Sequence, residues 1–346
     1  MNNPLNRFRL MLDYLAPRAR CRGMPLCCSI EVTSRCNLNC TMCDRAKLNR
    51  PNRDMDRNLF NDIVDDGREF LELVYLNGGG ESTLHPELPA FIERCTRNGI
   101  KTQLPTNGTL LTRDLINDLL GARVSQILVG MEGATRETYE RVRKGASYDQ
   151  VCENLRTLAE LNHETGNRTS VVVQMVMLGE NRHEANALAA QWRIPGLDGV
   201  RFKRDERPMA ENLPPKPASS VPRRYRCLFA WQGPLWINAA GDLIRHGFGH
   251  SDDALCRPAY DETLCEGFPL RDWQRIFNGP EMISFRQNHI DGKFAACGVC
   301  ETCEAYGPPP QTAWMTFLPG QAWLKLSMHR IERYTRRITF LQSSLP

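Results

Sequence analysis

The chain has 346 residues, of which 41% are hydrophobic and 24% charged, a composition typical of a globular protein with one large core and a smaller module. Its 44 basic and 40 acidic residues leave a net charge of only +4, which does not favour nucleic acid as a partner. No stretch reaches the ~18 apolar residues of a transmembrane segment. The first residues also lack the apolar core of a secretion signal, so we expect a cytoplasmic protein.

Strand-like and helix-like patterns alternate over the first two thirds of the chain. The predicted strands are 26–33, 73–77, 101–105, 126–131, 170–178 and 199–203. The clearest amphipathic segments between them are 58–71, 86–98 and 148–166. Six such units predict an α/β fold, in which a parallel sheet covered by helices curls into a partial (β/α)6 TIM-like barrel. The chemistry of such a barrel lies on loops at the carboxyl ends of the strands.

Composition changes divide the chain into five predicted parts. An N-terminal extension (1–24) precedes the barrel (25–206), and a proline-rich linker (207–224) follows it. A small Cys-rich α+β module is expected over 225–307. The last part (308–346) carries a basic amphipathic helix, which would pack on the barrel or bind a membrane surface or a partner.

Three cysteines follow the first predicted strand with the spacing C-x3-C-x2-C: Cys36, Cys40 and Cys43. In a chain without an export signal, clustered cysteines indicate metal ligands or nucleophiles. Three thiolates can hold three corners of a four-iron cluster and leave one iron open to a small molecule. Zinc or plain thiols are the alternatives. The isolated cysteines predicted to be small buried side chains are Cys21, Cys27, Cys28, Cys95 and Cys152.

This cysteine motif resembles that of the radical S-adenosylmethionine (radical SAM) enzymes, and the resemblance extends over about residues 24–205. The stretch NGGGESTLHPEL (77–88) is similar to the family's glycine-rich loop after the second strand. The resemblance implies that Gly79, Gly80 and Glu81 meet the methionine amine of SAM. Glycines allow a ligand to approach the backbone closely, and a carboxylate suits an ammonium group.

The fourth predicted strand departs from the family pattern. Where the family commonly has Ser-x-Asp, this chain has Gly130 and Glu132, so the hydroxyl contact is missing and Glu132 is expected to reach a ribose or the substrate. Arg143 matches the arginine that faces the cofactor carboxylate, a role suited to a guanidinium. The resemblance also places Thr106, Asn107 and Gly108 in the cofactor pocket, together with Gln174 and Met175, for which a place in the filling of the barrel is the alternative.

The Cys-rich region resembles a SPASM or twitch-like module, which carries auxiliary iron–sulfur clusters. Cys227 is followed by Gly241 and then by His246, which stands where the pattern has a cysteine, and CGVCETC resembles the closing motif. The cysteine count implies one auxiliary [4Fe-4S] cluster, with His246 or Cys303 as its last ligand. A structural zinc site is the alternative. The candidate ligands are Cys227, His246, Cys297, Cys300 and Cys303.

The resemblance implies an oxidoreductase or epimerase that reductively cleaves SAM to a 5'-deoxyadenosyl radical and abstracts hydrogen from a C–H bond. A flavodoxin or ferredoxin-type protein would supply the electron. Because only about 25 residues precede the barrel, we expect a small substrate such as a sugar or aminocyclitol of natural product biosynthesis. A maturase that modifies a ribosomal peptide or protein side chain is the alternative. A non-catalytic iron–sulfur scaffold or electron carrier is an alternative of another class.

Overall fold

A computed structural model describes residues 3–43, 45, 51–204, 226–244, 263–265, 273–296 and 317. The predicted linker and most of the predicted C-terminal helix lie outside these residues. So do four of the five candidate ligands of the auxiliary cluster, which are His246, Cys297, Cys300 and Cys303.

The described strands form one sheet of nine strands. In chain order they are β1 Cys27–Ile30, β2 Leu73–Tyr75, β3 Lys101–Thr106, β4 Gln126–Gly130, β5 Ser170–Met177, β6 Gly199–Arg204, β7 Leu235–Ile237, β8 Leu243–Ile244 and β9 Thr263–Cys265. Their spatial order is β6-β5-β4-β3-β2-β1-β7-β8-β9. Strands β1 to β6 are parallel and each lies beside its sequence neighbour, which confirms the predicted α/β fold with six parallel strands.

Strand β7 adds a seventh parallel strand that the sequence analysis missed. It pairs with β1 in a register that places Ser29 opposite Trp236 and Ile30 opposite Ile237. The strand comes from the region 225–307, so this part of the predicted module continues the sheet of the barrel. Strands β8 and β9 then extend the sheet in the antiparallel direction. The strand lies in the region that its composition assigned to the Cys-rich module, and no strand was predicted there.

Helices connect the strands and cover the sheet. They are α1 Pro4–Leu15, α2 Arg57–Gly67, α3 Leu88–Arg97, α4 Arg113–Gly121, α5 Arg136–Val142, α6 Tyr148–Glu164, α7 Ala185–Gln191, α8 Phe229–Gln232, α9 Trp273–Phe277 and α10 Pro280–Ile290. Several begin where a side chain accepts hydrogen bonds from the first turn, as Asp56 does for α2 and Ser147 for α6. Within the described part of the chain, no helix is both long and apolar enough to span a membrane.

The core lies between the sheet and these helices. All five residues of β4 are buried, as expected for a strand covered on both faces. On the helical side, Phe60 of α2 stacks on Phe91 of α3 with their ring centres 4.1 Å apart. The five isolated cysteines are all buried, which confirms their prediction as core side chains.

Candidate active site at the carboxyl edge of the sheet

The three clustered cysteines lie on one loop that leaves the carboxyl end of β1. Cys36 and Cys40 are half-buried, and Cys43 is exposed. The backbone N–H of Cys43 donates to the carbonyl of Cys40 (3.1 Å), so the second and third cysteines share a turn. The loop thus lies at the edge of the sheet where the sequence analysis expects the chemistry.

Burial favours the neutral form of the Cys36 and Cys40 thiols by raising the pKa of each. Burial raises the pKa of Cys36 above its ordinary value and raises the pKa of Cys40 to about 11. Arg143 acts in the opposite direction on the pKa of Cys40, whereas Cys43 and Glu132 raise it further. The thiols therefore interact with one another, and a bound cationic group would be needed to hold them as thiolates.

The chemistry of the donor set, three thiols on one loop, fits an iron–sulfur cluster. Among the described residues, no three His, Cys, Asp or Glu side chains are gathered closely enough to hold one metal ion. A cluster binds each cysteine through a different iron, so its thiolates are further apart than those around zinc. Three soft thiolates are also the ligands that such clusters prefer.

The cysteine loop is anchored to the end of α5 and to the residues that follow it. The backbone N–H of Asn39 donates to the carbonyl of Lys144 (3.0 Å), and that of Thr41 donates to the carbonyl of Val142 (2.9 Å). Backbone hydrogen bonds of this kind fix the path of the loop without using its side chains. The loop is therefore held beside Arg143, the residue between these two acceptors.

A second anchor runs through the side chain of Asn37, between the first two cysteines. Its Nδ2 donates to the Thr109 hydroxyl (2.8 Å), and its Oδ1 accepts from Nδ2 of Asn107 (2.9 Å). The Oδ1 of Asn107 in turn accepts from the backbone N–H of Thr109 (2.9 Å). These three residues connect the cysteine loop to the carboxyl end of β3.

The glycine-rich loop after β2 packs directly against the cysteine loop. A β-carbon added to Gly80 would overlap the carbonyl oxygen of Thr33 and lie 2.6 Å from that of Arg35. The next residue, Glu81, donates its backbone N–H to the same Arg35 carbonyl (2.8 Å). Glycine is required at this position because backbone meets backbone.

The carboxylate of Glu81 is turned into the protein, where only 4% of the residue is exposed. Its Oε1 accepts from the hydroxyls of Thr83 (2.7 Å) and Thr106 (2.8 Å). Its Oε2 accepts from the backbone N–H of Asn107 (2.7 Å). Glu81 thus connects the end of β2 to the end of β3, so residues predicted from separate motifs meet at one carboxylate.

A second buried carboxylate, Glu31, connects the same glycine-rich loop to β7. Its Oε1 accepts from the backbone N–H of Gly79 (2.6 Å), and its Oε2 accepts from that of Ala239 (3.2 Å). Ala239 belongs to the β7–β8 turn, where Gly241 has a φ of +87° and faces Leu59 of α2. The unpredicted seventh strand therefore supports the loop after β2.

At the end of β4, Glu132 forms an ion pair with Nε of Arg143. Glu132 is fully buried, and the side chain of Arg143 is 13% exposed. A β-carbon on Gly130 would lie 2.7 Å from Cζ of Arg143, so the guanidinium occupies the space beside this glycine. Gln174 of β5 lies opposite Gly130 in the sheet and is half-buried. The structure therefore brings together the predicted residues of β4, β5 and α5.

The comparison with protein families agrees with this geometry. Residues 30–191 match the model of the radical SAM superfamily. These residues form a radical SAM domain. The matched segment begins at the last residue of β1 and ends at the last residue of α7, so it includes the cysteine loop, the glycine-rich loop and the ends of β3 and β4.

Three curated proteins show what the domain is similar to. The tungsten-containing aldehyde ferredoxin oxidoreductase cofactor-modifying protein of Pyrococcus furiosus is 30% identical over 178 residues, 49% of each chain. The mycofactocin maturase MftC of Mycobacterium tuberculosis is 28% identical over 51% of this chain and 46% of its own. The PqqA peptide cyclase of Bradyrhizobium diazoefficiens is 25% identical over 50% of this chain and 45% of its own. This chain thus spans about half the length of these curated relatives.

Solved structures share the fold of the radical SAM domain. The structure of Streptococcus suis SuiB bound to the precursor peptide SuiA superposes with a TM-score of 0.60. It covers 83% of this chain and 72% of SuiB at 14% sequence identity. At this level of identity the superposition supports the architecture alone.

Of the predicted auxiliary-cluster ligands, Cys227 lies within the described residues. It is half-buried just before α8, and its backbone N–H donates to Nδ1 of His289 on α10 (3.4 Å). His289 is 4% exposed and packs edge-on against Phe285 and Phe294. The structure therefore adds a histidine beside Cys227 that the sequence analysis did not single out.

Sequence reasoning also missed two supports of the radical SAM domain, Asn37 and Glu31. Asn37 lies inside the cysteine motif, and an asparagine at that position carries no distinctive sequence signal. Glu31 is an acidic residue at the end of an apolar strand, and a charge in such a run is the available signal of a buried role. Their partners lie on other strands, so the contacts themselves could not be read from the sequence.

Proposed function

We propose that this chain is a radical SAM enzyme that modifies a peptide or protein side chain. The observation that carries the proposal is the convergence of the cysteine loop with the ends of β2, β3 and β4 through hydrogen bonds. In this proposal, Cys36, Cys40 and Cys43 hold a [4Fe-4S] cluster whose fourth iron binds SAM. When bound, the cluster and SAM supply an electron and a 5'-deoxyadenosyl radical that removes hydrogen from the substrate.

The residues of the chain supply position and charge. The backbone of Gly79 and Gly80 would approach the methionine amine, since glycine leaves the backbone of this loop uncovered. Glu81 would act on the amine through its charge and through the placement of Thr106 and Asn107.

At the end of β4, beside the cysteine loop, Arg143 would face the SAM carboxylate. Its ion pair with Glu132 fixes where the guanidinium lies. Gln174 would lie near the ribose, because it is opposite Gly130 in the neighbouring strand.

The substrate proposal rests on the relatives. The similar curated proteins include a peptide cyclase and a maturase, which favour a peptide over the sugar or aminocyclitol expected from the sequence. The small-substrate hypothesis rested on the short stretch before the barrel. That stretch bears on how a peptide would be recognised and does not decide between a peptide and a sugar. Dehydrogenation and epimerisation both remain within the proposal, as does electron supply by a flavodoxin or ferredoxin-type protein.

The division into five parts and the auxiliary [4Fe-4S] cluster also belong to the proposal. The candidate cluster ligands are Cys227, Cys297 and Cys300, completed by His246 or Cys303. Iron analysis of C297A/C300A protein tests the cluster, because the variant should lose about four irons per chain if these cysteines are ligands. Unchanged iron would contradict the auxiliary cluster.

The test of catalysis is the reductive cleavage of SAM by anaerobically reconstituted protein. We expect wild-type protein with dithionite to form 5'-deoxyadenosine and methionine, and the C40A variant to form neither. Absence of cleavage by wild-type protein that contains its cluster and binds SAM would favour the non-catalytic scaffold.

The test of substrate class follows the abstracted hydrogen. A peptide fraction from cells grown in deuterated medium is compared with deuterated glucosamine under the same conditions. Deuterium transferred into 5'-deoxyadenosine from the peptides alone would support a peptide substrate. Transfer from the aminosugar alone would restore the sugar hypothesis.

A further inference from the structure

A guanidinium occupies the space that a side chain would take at the end of β4. A β-carbon on Gly130 would overlap Nη2 of Arg143 and lie 2.7 Å from its Cζ. Any larger residue at position 130 must therefore displace the guanidinium. The displaced group is the far end of a flexible side chain, so the backbone of β4 can stay in place.

Glu132 holds the guanidinium in this space. One carboxylate oxygen pairs with Nε of Arg143, and the other accepts from the backbone N–H of Val176 on β5 (3.3 Å). The backbone carbonyl of Glu132 accepts from Nδ2 of Asn181 (3.0 Å), which also donates to the carbonyl of Val176 (2.9 Å). The position of Glu132 is thus fixed by the end of β5.

The guanidinium remains able to bind a second acceptor. Glu132 uses its Nε–H, which leaves four N–H donors on Nη1 and Nη2. Both charges of the pair act on the thiol of Cys40, so the pair lies beside the cysteine loop. A carboxylate is one of the groups whose geometry matches a fixed guanidinium.

We propose that Gly130 and Glu132 are positioning residues that hold Arg143 as the receptor of the SAM carboxylate. The inference rests on the proposed function, because it requires SAM to bind beside the cysteine loop. In the sequence analysis, Gly130 in place of the serine of Ser-x-Asp meant the loss of a hydroxyl contact; here the same glycine makes room for the guanidinium of Arg143. The glycine is a requirement of this site, and restoring the serine should damage it.

The experiment compares two ligands on the same proteins by anaerobic equilibrium dialysis. One ligand is SAM, and the other is decarboxylated SAM, which lacks only the carboxylate. The variants are G130S, which displaces the guanidinium, and E132Q, which keeps the size of Glu132 and removes its charge. The matched control is G121A on α4, because a β-carbon there has no atom within 4 Å.

We expect G130S to weaken SAM binding by at least about tenfold, which corresponds to the loss of one charge-assisted hydrogen bond. E132Q should weaken SAM binding to a smaller extent. Binding of decarboxylated SAM should stay the same in both variants, and G121A should match the wild type with both ligands. The electron paramagnetic resonance signal of the reduced cluster should change when SAM is added to wild-type protein, and G130S should need correspondingly more SAM for that change.

Two results would overturn the inference. One is equal or tighter SAM binding by G130S, and the other is an equal loss for both ligands, which indicates general damage to the pocket. If wild-type protein with its cluster binds neither ligand and shows no spectral change, the proposed function fails instead. If G130S does not fold, E132Q decides the question by the same comparison of ligands.

Discussion

Two buried carboxylates at the carboxyl edge of the sheet, Glu81 and Glu132, hold neighbouring loops in different ways. Glu81 accepts from the neutral donors of Thr83, Thr106 and Asn107, which satisfy its oxygens without cancelling a charge. Glu132 pairs with the cation of Arg143, so the chain supplies both signs of charge at β4. The negative charge of Glu81 suits a cation such as the ammonium of an amino acid. The guanidinium of Arg143 suits an anion such as the carboxylate of the same amino acid.

The largest effect should come from breaking the charged pair. In R143M, Glu132 would keep its buried position without a cation, and we expect the free energy of unfolding to fall by about 3–5 kcal/mol. The double variant R143M/E132Q should recover more than half of this loss, because the uncompensated charge is gone. Urea unfolding of the cluster-free proteins measures both. A loss below about 1 kcal/mol in R143M would show that the pair is not a buried ion pair in solution.

A somewhat smaller effect should follow from filling the contact between the glycine-rich loop and the cysteine loop. In G80A the added methyl meets the carbonyl oxygens of Thr33 and Arg35, and neither can move without its backbone. We expect a loss of about 1–3 kcal/mol in urea unfolding, together with poorer cluster reconstitution. The control G121A adds the same methyl in open space and should change stability by less than about 1 kcal/mol. Equal stability of the two variants would argue against this close packing.

The neutral arrangement at Glu81 can be tested by a double-mutant cycle. T106V removes the hydroxyl that donates to Glu81 and should lower the free energy of unfolding by about 1 kcal/mol. In an E81Q background the same change should cost less, since its partner is already altered. Strictly additive losses would mean that Thr106 and Glu81 act independently.

The smallest expected effect concerns Glu184, whose carboxylate accepts from hydroxyl and backbone N–H groups and also lies 3.7 Å from Nε2 of His183. Burial alone would raise its pKa, but the hydroxyls of Thr138 and Thr135 and the backbone N–H groups of Ala134 and Thr135 outweigh it and lower the pKa below 4.5. A lowered pKa stabilises the fold above the pKa of the unfolded chain, and this contribution is lost as the pH falls through the folded value.

Wild-type stability should therefore fall more steeply than that of E184Q between about pH 5 and pH 3. Urea unfolding across this range gives the two slopes. Parallel curves would contradict a lowered pKa for Glu184.

The sequence predicted what depends on local pattern. Apolar runs such as 170–178 revealed the strands, and the order of motifs along a parallel sheet placed Cys36, Gly80, Asn107 and Arg143 at one edge. Strand β7 was missed because it lies in the region assigned to the Cys-rich module, and its place beside β1 is decided by packing. The partners of Glu81, Glu31 and Gly130 were missed for a related reason, since each contact joins residues far apart in the chain.

The most direct test of the central claim is iron and sulfide analysis of anaerobically reconstituted wild-type protein and of the triple variant C36A/C40A/C43A. If the cysteine loop holds the cluster, the variant should contain about four fewer irons per chain than the wild type, with a matching loss of sulfide. Equal iron in the two proteins, or zinc in place of iron at the loop, would contradict the assignment of this site and the chemistry proposed from it.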